Sequence, residues 1–230
     1  MSTRISRRDM LRTTAVAAGV WTTYGSLNFA QSNSPNEKLN IAAIGVGGRG
    51  GDDVNGCAHE NIVALCDVDE ARAAGTFAAF PRAKRYQDFR RMLEEMDAQI
   101  DAVVIGSPDH THAPVGVMAM KLGKHCYCEK PLTHSVYEAR MMATIAREKN
   151  LVTQMGTQIH EGSNYRRAVE LVQSGAIGTV GEVHVWLGAN FDGPAQPADM
   201  SQPDAPQDQP PVPASLDWDL WLGPAAYRPY

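Results

Sequence analysis

Short apolar runs alternate along the chain with longer stretches whose apolar positions recur every three or four residues. Leu39–Ile44, Ile62–Cys66, Ala102–Ile105, His125–Cys128 and Leu151–Met155 are of the first kind and predict strands, that at Ala102–Ile105 a buried one, with a shorter strand at Lys84–Tyr86. Helices are predicted over Glu70–Phe80, Asp88–Met96, Pro114–Leu122 and Tyr137–Lys149, and in the second of these Phe89, Met92, Leu93 and Met96 share one face. Strands that alternate with amphipathic helices imply right-handed crossovers and a mainly parallel, doubly wound α/β sheet. Beyond it, Glu161–Gln173 predicts a helix closed by Gly175 and Gly178, and Val180–Trp186 alternates like the first strand of a second domain. Asn190–Pro213, rich in proline, aspartate and glutamine, reads as a long insertion.

The first predicted strand runs directly into Gly45-Val46-Gly47-Gly48-Arg49-Gly50. Gly45, Gly47 and Gly50 have the G-x-G-x-x-G spacing that combines a tight turn, close approach of backbone to a pyrophosphate and close helix–strand packing. The second strand ends about twenty residues on, in Asp67. A carboxylate there accepts the ribose hydroxyls of an adenosine and repels a 2′-phosphate, so NAD is favoured over NADP, with Arg49 leaving some room for the phosphorylated form. The competing reading is a glycine turn in a protein that binds no nucleotide, with Asp67 as a helix cap. Ligands of such sheets bind beyond the carboxyl ends of the strands, where Ser107-Pro108-Asp109-His110-Thr111-His112 and Glu129-Lys130-Pro131 also fall. Asp109 serves equally well as a helix cap. His-x-His plus an aspartate is not a complete metal signature, and no metal site is assigned.

Charge narrows the range of partners. The formal net charge is −5, but Arg4, Arg7, Arg8 and Arg12 against Asp9 make the first thirty-four residues basic. Setting these aside leaves 17 of the 21 basic and 25 of the 26 acidic side chains, a net charge near −8. That balance argues against broad binding to nucleic acid and leaves small molecules as the default partners. Ser6-Arg7-Arg8-Asp9-Met10-Leu11, followed by the weakly apolar Thr13–Ala30, is too short and polar for a membrane span and resembles a twin-arginine export signal. An ordinary basic N-terminus is the alternative. Four cysteines form neither a CxxC pair nor a disulfide framework, and Cys126 and Cys128 flank Tyr127 as two side chains on one strand face.

The glycine turn, Ser107–His112, Gly123-Lys124-His125 and above all Glu129-Lys130-Pro131 resemble the Gfo/Idh/MocA oxidoreductases. Tyr165–Leu171 and Gly175-Ala176-Ile177-Gly178 extend the resemblance towards the C-terminus. It implies a twin-arginine leader and linker over 1–35 and a Rossmann domain over 36–156. Over 157–230 it implies the start of an α/β domain with an open, mainly antiparallel sheet, incomplete because relatives continue for many more residues. The implied reaction is hydride transfer between a nicotinamide cofactor and a sugar or polyol hydroxyl in an exported, periplasmic enzyme. Lys130 would assist the reacting oxygen, and a later histidine, absent here, would serve as acid-base partner.

By the same resemblance Glu129 orients the nicotinamide ribose or Lys130, Pro131 holds the strand exit, and His112 lines the ribose side. Gly45, Gly47, Gly50, Asp67, Ser107, Asp109, His112 and Glu129 form the expected cofactor set, and His110, Gln158 and His160 the substrate side. His160 stands where relatives commonly carry arginine, which would mark altered specificity. A homo-oligomer is expected of the full-length form. Two alternatives stay open: a glycoside hydrolase or lyase that oxidises its sugar transiently on retained NAD, and a nucleotide-binding remnant without catalysis. Trp218, Trp221 and Tyr227 either stack on sugar faces or anchor their loop to the domain edge.

Overall fold

The computed structural model of the protein describes residues 38–158, 160, 162–185 and 210–230. Strands and helices alternate as β1 Asn40–Ile44, α1 Arg49–Gly56, β2 Asn61–Cys66, α2 Glu70–Ala79, β3 Lys84–Tyr86, α3 Phe89–Glu95, β4 Ala102–Ile105, α4 Asp109–Lys121, β5 His125–Glu129, α5 Val136–Glu148 and β6 Thr153–Gly156. Helix α6 Ser163–Gln173 and the short α7 Trp218–Leu222 follow. The strands pair in parallel in the order β3-β2-β1-β4-β5-β6. The chain therefore builds one half of the sheet outward from β1, returns to the centre and builds the other half. The reversal falls between β1 and β4, whose diverging loops leave a crevice above the strand ends.

Local chemistry starts the helices where short polar side chains replace missing backbone partners. Asp69 Oδ1 accepts from Ala71 N and Arg72 N, Asp88 Oδ1 accepts from Arg90 N, and Ser135 with Glu138 forms a reciprocal capping box. Strand alternation then separates two cores. Ala42, Ile44, Ala64, Cys66, Val103, Ile105, Cys126 and Cys128 pack with residues of α3, α4 and α5. Ile41, Ala43, Leu65 and Val104 face the other way, onto Val54, Ala73 and Phe77 of α1 and α2. Among the described residues, no helix is long and apolar enough to cross a membrane.

The helix expected from Pro114 begins at Asp109 instead, with Pro114 inside it. Proline suits a first helical turn but does not require one. Here the helix forgoes only the bond to the His110 carbonyl, which the proline nitrogen has no hydrogen to make.

The expected second domain with an antiparallel sheet is overturned. Among the described residues there is one sheet, wholly parallel, and residues 180–185 form no strand. Val183 and Val185 are exposed. Alternation gives a strand one apolar face, but the strand forms only where a neighbour supplies the ladder of hydrogen bonds, and among the described residues no strand pairs with these. Trp186, residues 190–209 and the basic leader lie outside the described residues.

Candidate functional site

The glycine turn is shaped by contact between backbones. Gly45 N donates to Cys66 O at 2.8 Å, drawing the β1–α1 turn against the end of β2. A Cβ built on Gly45, whose φ is +73°, would lie 2.4 Å from the Ser107 backbone, and one on Gly50 would lie 1.7 Å from the Gly45 carbonyl oxygen. The turn, the first turn of α1 and the loop after β4 therefore touch directly, and the first amides of α1, at the edge of the crevice that Gly47 and Arg49 line, receive no side-chain cap.

Asp67 is buried at the end of β2. Its Oδ2 accepts from Val46 N at 2.8 Å and Gly47 N at 2.9 Å, and its Oδ1 accepts from Asp69 N at 3.0 Å. The carboxylate thus braces the turn and, of its about four acceptor sites, keeps one on Oδ1 for a further donor such as a ribose hydroxyl. Gly45, Gly47, Asp67 and Ser107 line one cavity of about 650 Å³, within the usual range for small-molecule sites. The steric need for glycine and the strand-end carboxylate both fit a dinucleotide.

At the other side of the switch point, β5 ends in the buried Glu129, and the Lys130–Pro131 bond is cis. Lys130 N donates to Gly156 O at 3.1 Å, so β6 holds the backbone of an otherwise exposed lysine. Glu129 Oε1 accepts from Tyr127 Oη at 3.2 Å and from Arg49 Nε at 3.4 Å. Burial first, then the Glu129 and Asp53 carboxylates, push the Tyr127 phenol up to about 12, which keeps it a donor. Arg49 Nη2 also pairs with Asp53 Oδ1 at 3.0 Å. Arg49 is thus engaged with α1 and β5, although it lines the same cavity as Asp67.

Asp53 carries a measurable consequence. Burial first, and then the neighbouring Glu129 carboxylate, outweigh Arg49 and raise its carboxyl to about 6, and Asp53 Oδ2 has no hydrogen-bond partner among the described residues. The folded state thus holds this proton to higher pH than the unfolded chain, so stability falls as pH rises from about 4 to about 6, by about 2–3 kcal/mol. Asp53→Asn is expected to flatten that slope. Urea midpoints measured across this interval check it, and an unchanged slope in the variant refutes the assignment.

Other expected site residues sit differently. His112 is 1% exposed, with Nδ1 2.7 Å from Pro131 O and Nε2 2.7 Å from Ser107 O. It ties the β4 loop to the turn after β5, and its nitrogens face backbone rather than the crevice. His110 Nε2 donates to Trp221 O at 2.9 Å, in the C-terminal segment. Ser107 Oγ lies 2.8 Å from Thr111 Oγ1. Asp109 is exposed in the first turn of α4. Gln158 and His160 are exposed beyond β6, His160 stacked on Tyr165 with centroids 4.9 Å apart.

Sequence reasoning missed Arg72, whose Cγ would lie 2.6 Å from a Cβ on Gly47 and whose Nη2 would lie 3.1 Å from one on Gly48. It crosses the glycine turn as a cation available to phosphates. The signal was its place three residues after the cap Asp69 on the helix leaving β2. Among the described residues no His, Cys, Asp or Glu cluster is arranged to hold a metal. Burial pushes the Cys126 thiol up to about 12 and raises those of Cys66 and Cys128 as well, so these side chains act as packing.

A six-stranded parallel sheet with a glycine turn and a strand-end carboxylate at its switch point defines a Rossmann-type dinucleotide-binding protein. Residues 39–157 match the Gfo/Idh/MocA profile, described as an oxidoreductase family with an NAD-binding Rossmann fold, and the chain belongs to that family. It is 31% identical over 151 residues to inositol 2-dehydrogenase 2 of Saccharopolyspora erythraea, covering 64% of this chain and 44% of that protein. A glycosyl hydrolase family 109 protein of Shewanella pealeana is 27% identical over 203 residues, covering 76% and 44% respectively. The scyllo-inositol dehydrogenase of Lactobacillus casei, solved with NAD(H) and scyllo-inositol, superposes with a TM-score of 0.57 at 27% identity, over 62% of this chain and 43% of that one. The chain thus spans less than half the length of these relatives.

Proposed function

We propose that this protein is an NAD-dependent oxidoreductase that moves a hydride between a sugar or polyol hydroxyl carbon and nicotinamide. The observation that carries the reading is the convergence of the glycine turn, Asp67 and the Glu129-Lys130-Pro131 turn at the carboxyl ends of β1, β2 and β5. In it, the uncapped amides at the start of α1 and Arg72 take the pyrophosphate, and Asp67 takes the adenosine ribose. Bound NAD supplies the hydride acceptor at its nicotinamide C4. Lys130 donates a hydrogen bond to the reacting oxygen and stabilises the negative charge that develops there. Buried Glu129 sets the lysine backbone, since its Oε2 accepts from Lys130 N at 3.3 Å. Likeness to inositol dehydrogenases supports a polyol substrate, and Arg7-Arg8 in the basic leader supports export by the twin-arginine route.

The test is calorimetric titration of the chain with NAD and NADP, then NADH absorbance with a panel of inositols, aldoses and polyols. Preferential NAD binding and polyol-dependent NADH formation are expected. Failure to bind either dinucleotide refutes the reading, and binding without turnover of any panel member favours the non-catalytic alternative.

The hydrolase reading has one observation in its favour: the match to the family 109 protein covers more of this chain than the dehydrogenase match does. Oxidation at one sugar carbon would acidify its neighbour, elimination would release the aglycone and leave a carbon–carbon double bond, water would add across that bond, and the hydride would then return to the carbonyl. Glycoside cleavage without net NADH formation distinguishes it from a dehydrogenase.

A further inference from the structure

The C-terminal segment returns to the Rossmann core and closes one end of the crevice. Leu216 forms an antiparallel bridge with Asp69, Asp217 N donates to Val68 O at 2.9 Å, and Glu70 N donates to Ser215 O at 3.0 Å. These contacts fall on the residues immediately after Asp67. Asp217 Oδ1 then caps α7 by accepting from Leu220 N at 3.0 Å, and Leu222 is buried. On the far side of the crevice His110 Nε2 holds the Trp221 carbonyl. The segment is therefore anchored at the β2 end and again at the start of α4, across the mouth of the site.

Between those anchors Trp218 and Trp221 stack on each other, with ring centroids 4.7 Å apart and planes 13° apart. Both line the same cavity as Gly47, Asp67, Arg72 and Ser107, whereas Glu129 and Lys130 line no part of it. In a Rossmann crevice the β2 side receives the adenosine half of a dinucleotide and the β4–β5 side receives the nicotinamide half. Tyr230 packs at right angles against Trp218 and His110 tilts against Trp221, so the indole surface that lines the cavity with Asp67 belongs to a fixed aromatic cluster, and stacking of a purine on such a surface tolerates any base. We propose that Trp218 and Trp221 form the adenine wall of the cofactor site, and that residues 213–223 are a clasp on its adenosine half rather than a sugar-binding platform. This rests on the reading of the crevice as an NAD site.

Binding of NAD, AMP and nicotinamide mononucleotide tests it, by calorimetry and by indole fluorescence in a chain carrying Trp21→Phe and Trp186→Phe. NAD and AMP are expected to change the emission of Trp218 and Trp221, and the mononucleotide to leave it unchanged. Trp218→Ala and Trp221→Ala are expected to weaken NAD and AMP about ten- to hundredfold, with the mononucleotide unaffected and most of the affinity restored by Phe at either position. NAD binding with no change in emission on adding AMP, or with affinity unaltered in both Ala variants, overturns the clasp alone. Loss confined to the mononucleotide also overturns it, by moving the indoles to the reacting end. Absence of all three binding events in the unsubstituted chain overturns the cofactor reading and the clasp with it.

Discussion

Lys130→Met is expected to lower the rate of NAD reduction at saturating substrate by about 10²–10⁴-fold, with NAD affinity changed by less than about twofold. The methionine keeps the apolar stem and removes the ammonium, the group that would stabilise charge on the reacting oxygen. The backbone is held independently of the side chain, by Lys130 N to Gly156 O and to Glu129 Oε2, so the turn persists in the variant. Lys130→Arg keeps the charge but spreads it over a planar fork and is expected to recover only part of the rate. Turnover and NAD titrations on the same preparations separate the effects. A Met variant with undiminished turnover removes Lys130 from the chemistry, and one that loses NAD as well makes the lysine a structural residue.

Gly50→Ala is expected to destabilise the fold by about 3 kcal/mol or more and to abolish NAD binding. The new methyl would fall 1.7 Å from the Gly45 carbonyl oxygen, a backbone atom that no rotamer change can move aside. Relief requires α1 to separate from the glycine turn, which also disturbs the amides of Val46 and Gly47 that Asp67 holds. Gly56→Ala, at the other end of the same helix, is the control. A Cβ there meets nothing within 4 Å, and the change should be neutral or stabilising by up to about 1 kcal/mol. Urea unfolding of the two variants beside NAD titration decides the matter: equal stabilities would show that the turn yields more easily than the close approach implies.

Much of the Rossmann core was legible before any tertiary information. The apolar runs at β1, β2, β4 and β5 and the amphipathic α3 have periods set by the backbone of each element, so a window of residues suffices to read them. The glycine spacing and the distance from Gly45 to Asp67 follow from one strand-helix-strand unit, short enough to carry its own signature. Roles within the site were less legible. His112 is placed on the ribose side by the family resemblance alone, and no local pattern shows that its rotation on α4 buries it between two carbonyls. Arg49 looked like a cofactor cation because it lies inside the glycine motif, yet its partners are Asp53, one turn along α1, and Glu129, eighty positions away.

By itself the sequence determined the order and type of the core elements, the glycine turn and the identity of the carboxylate at the end of β2. These depend on periodicity, capping and turn chemistry, which act between near neighbours. Tertiary structure decided that residues 180–185 form no strand, that Arg49 spans from α1 to β5, and that the Trp218–Trp221 segment lies across the crevice beside Asp67. Each of these depends on whether a distant part of the chain offers a hydrogen-bonding edge, an opposite charge or an apolar wall. Such partners are brought together by the packing of the whole sheet and leave no period in the local pattern of residues.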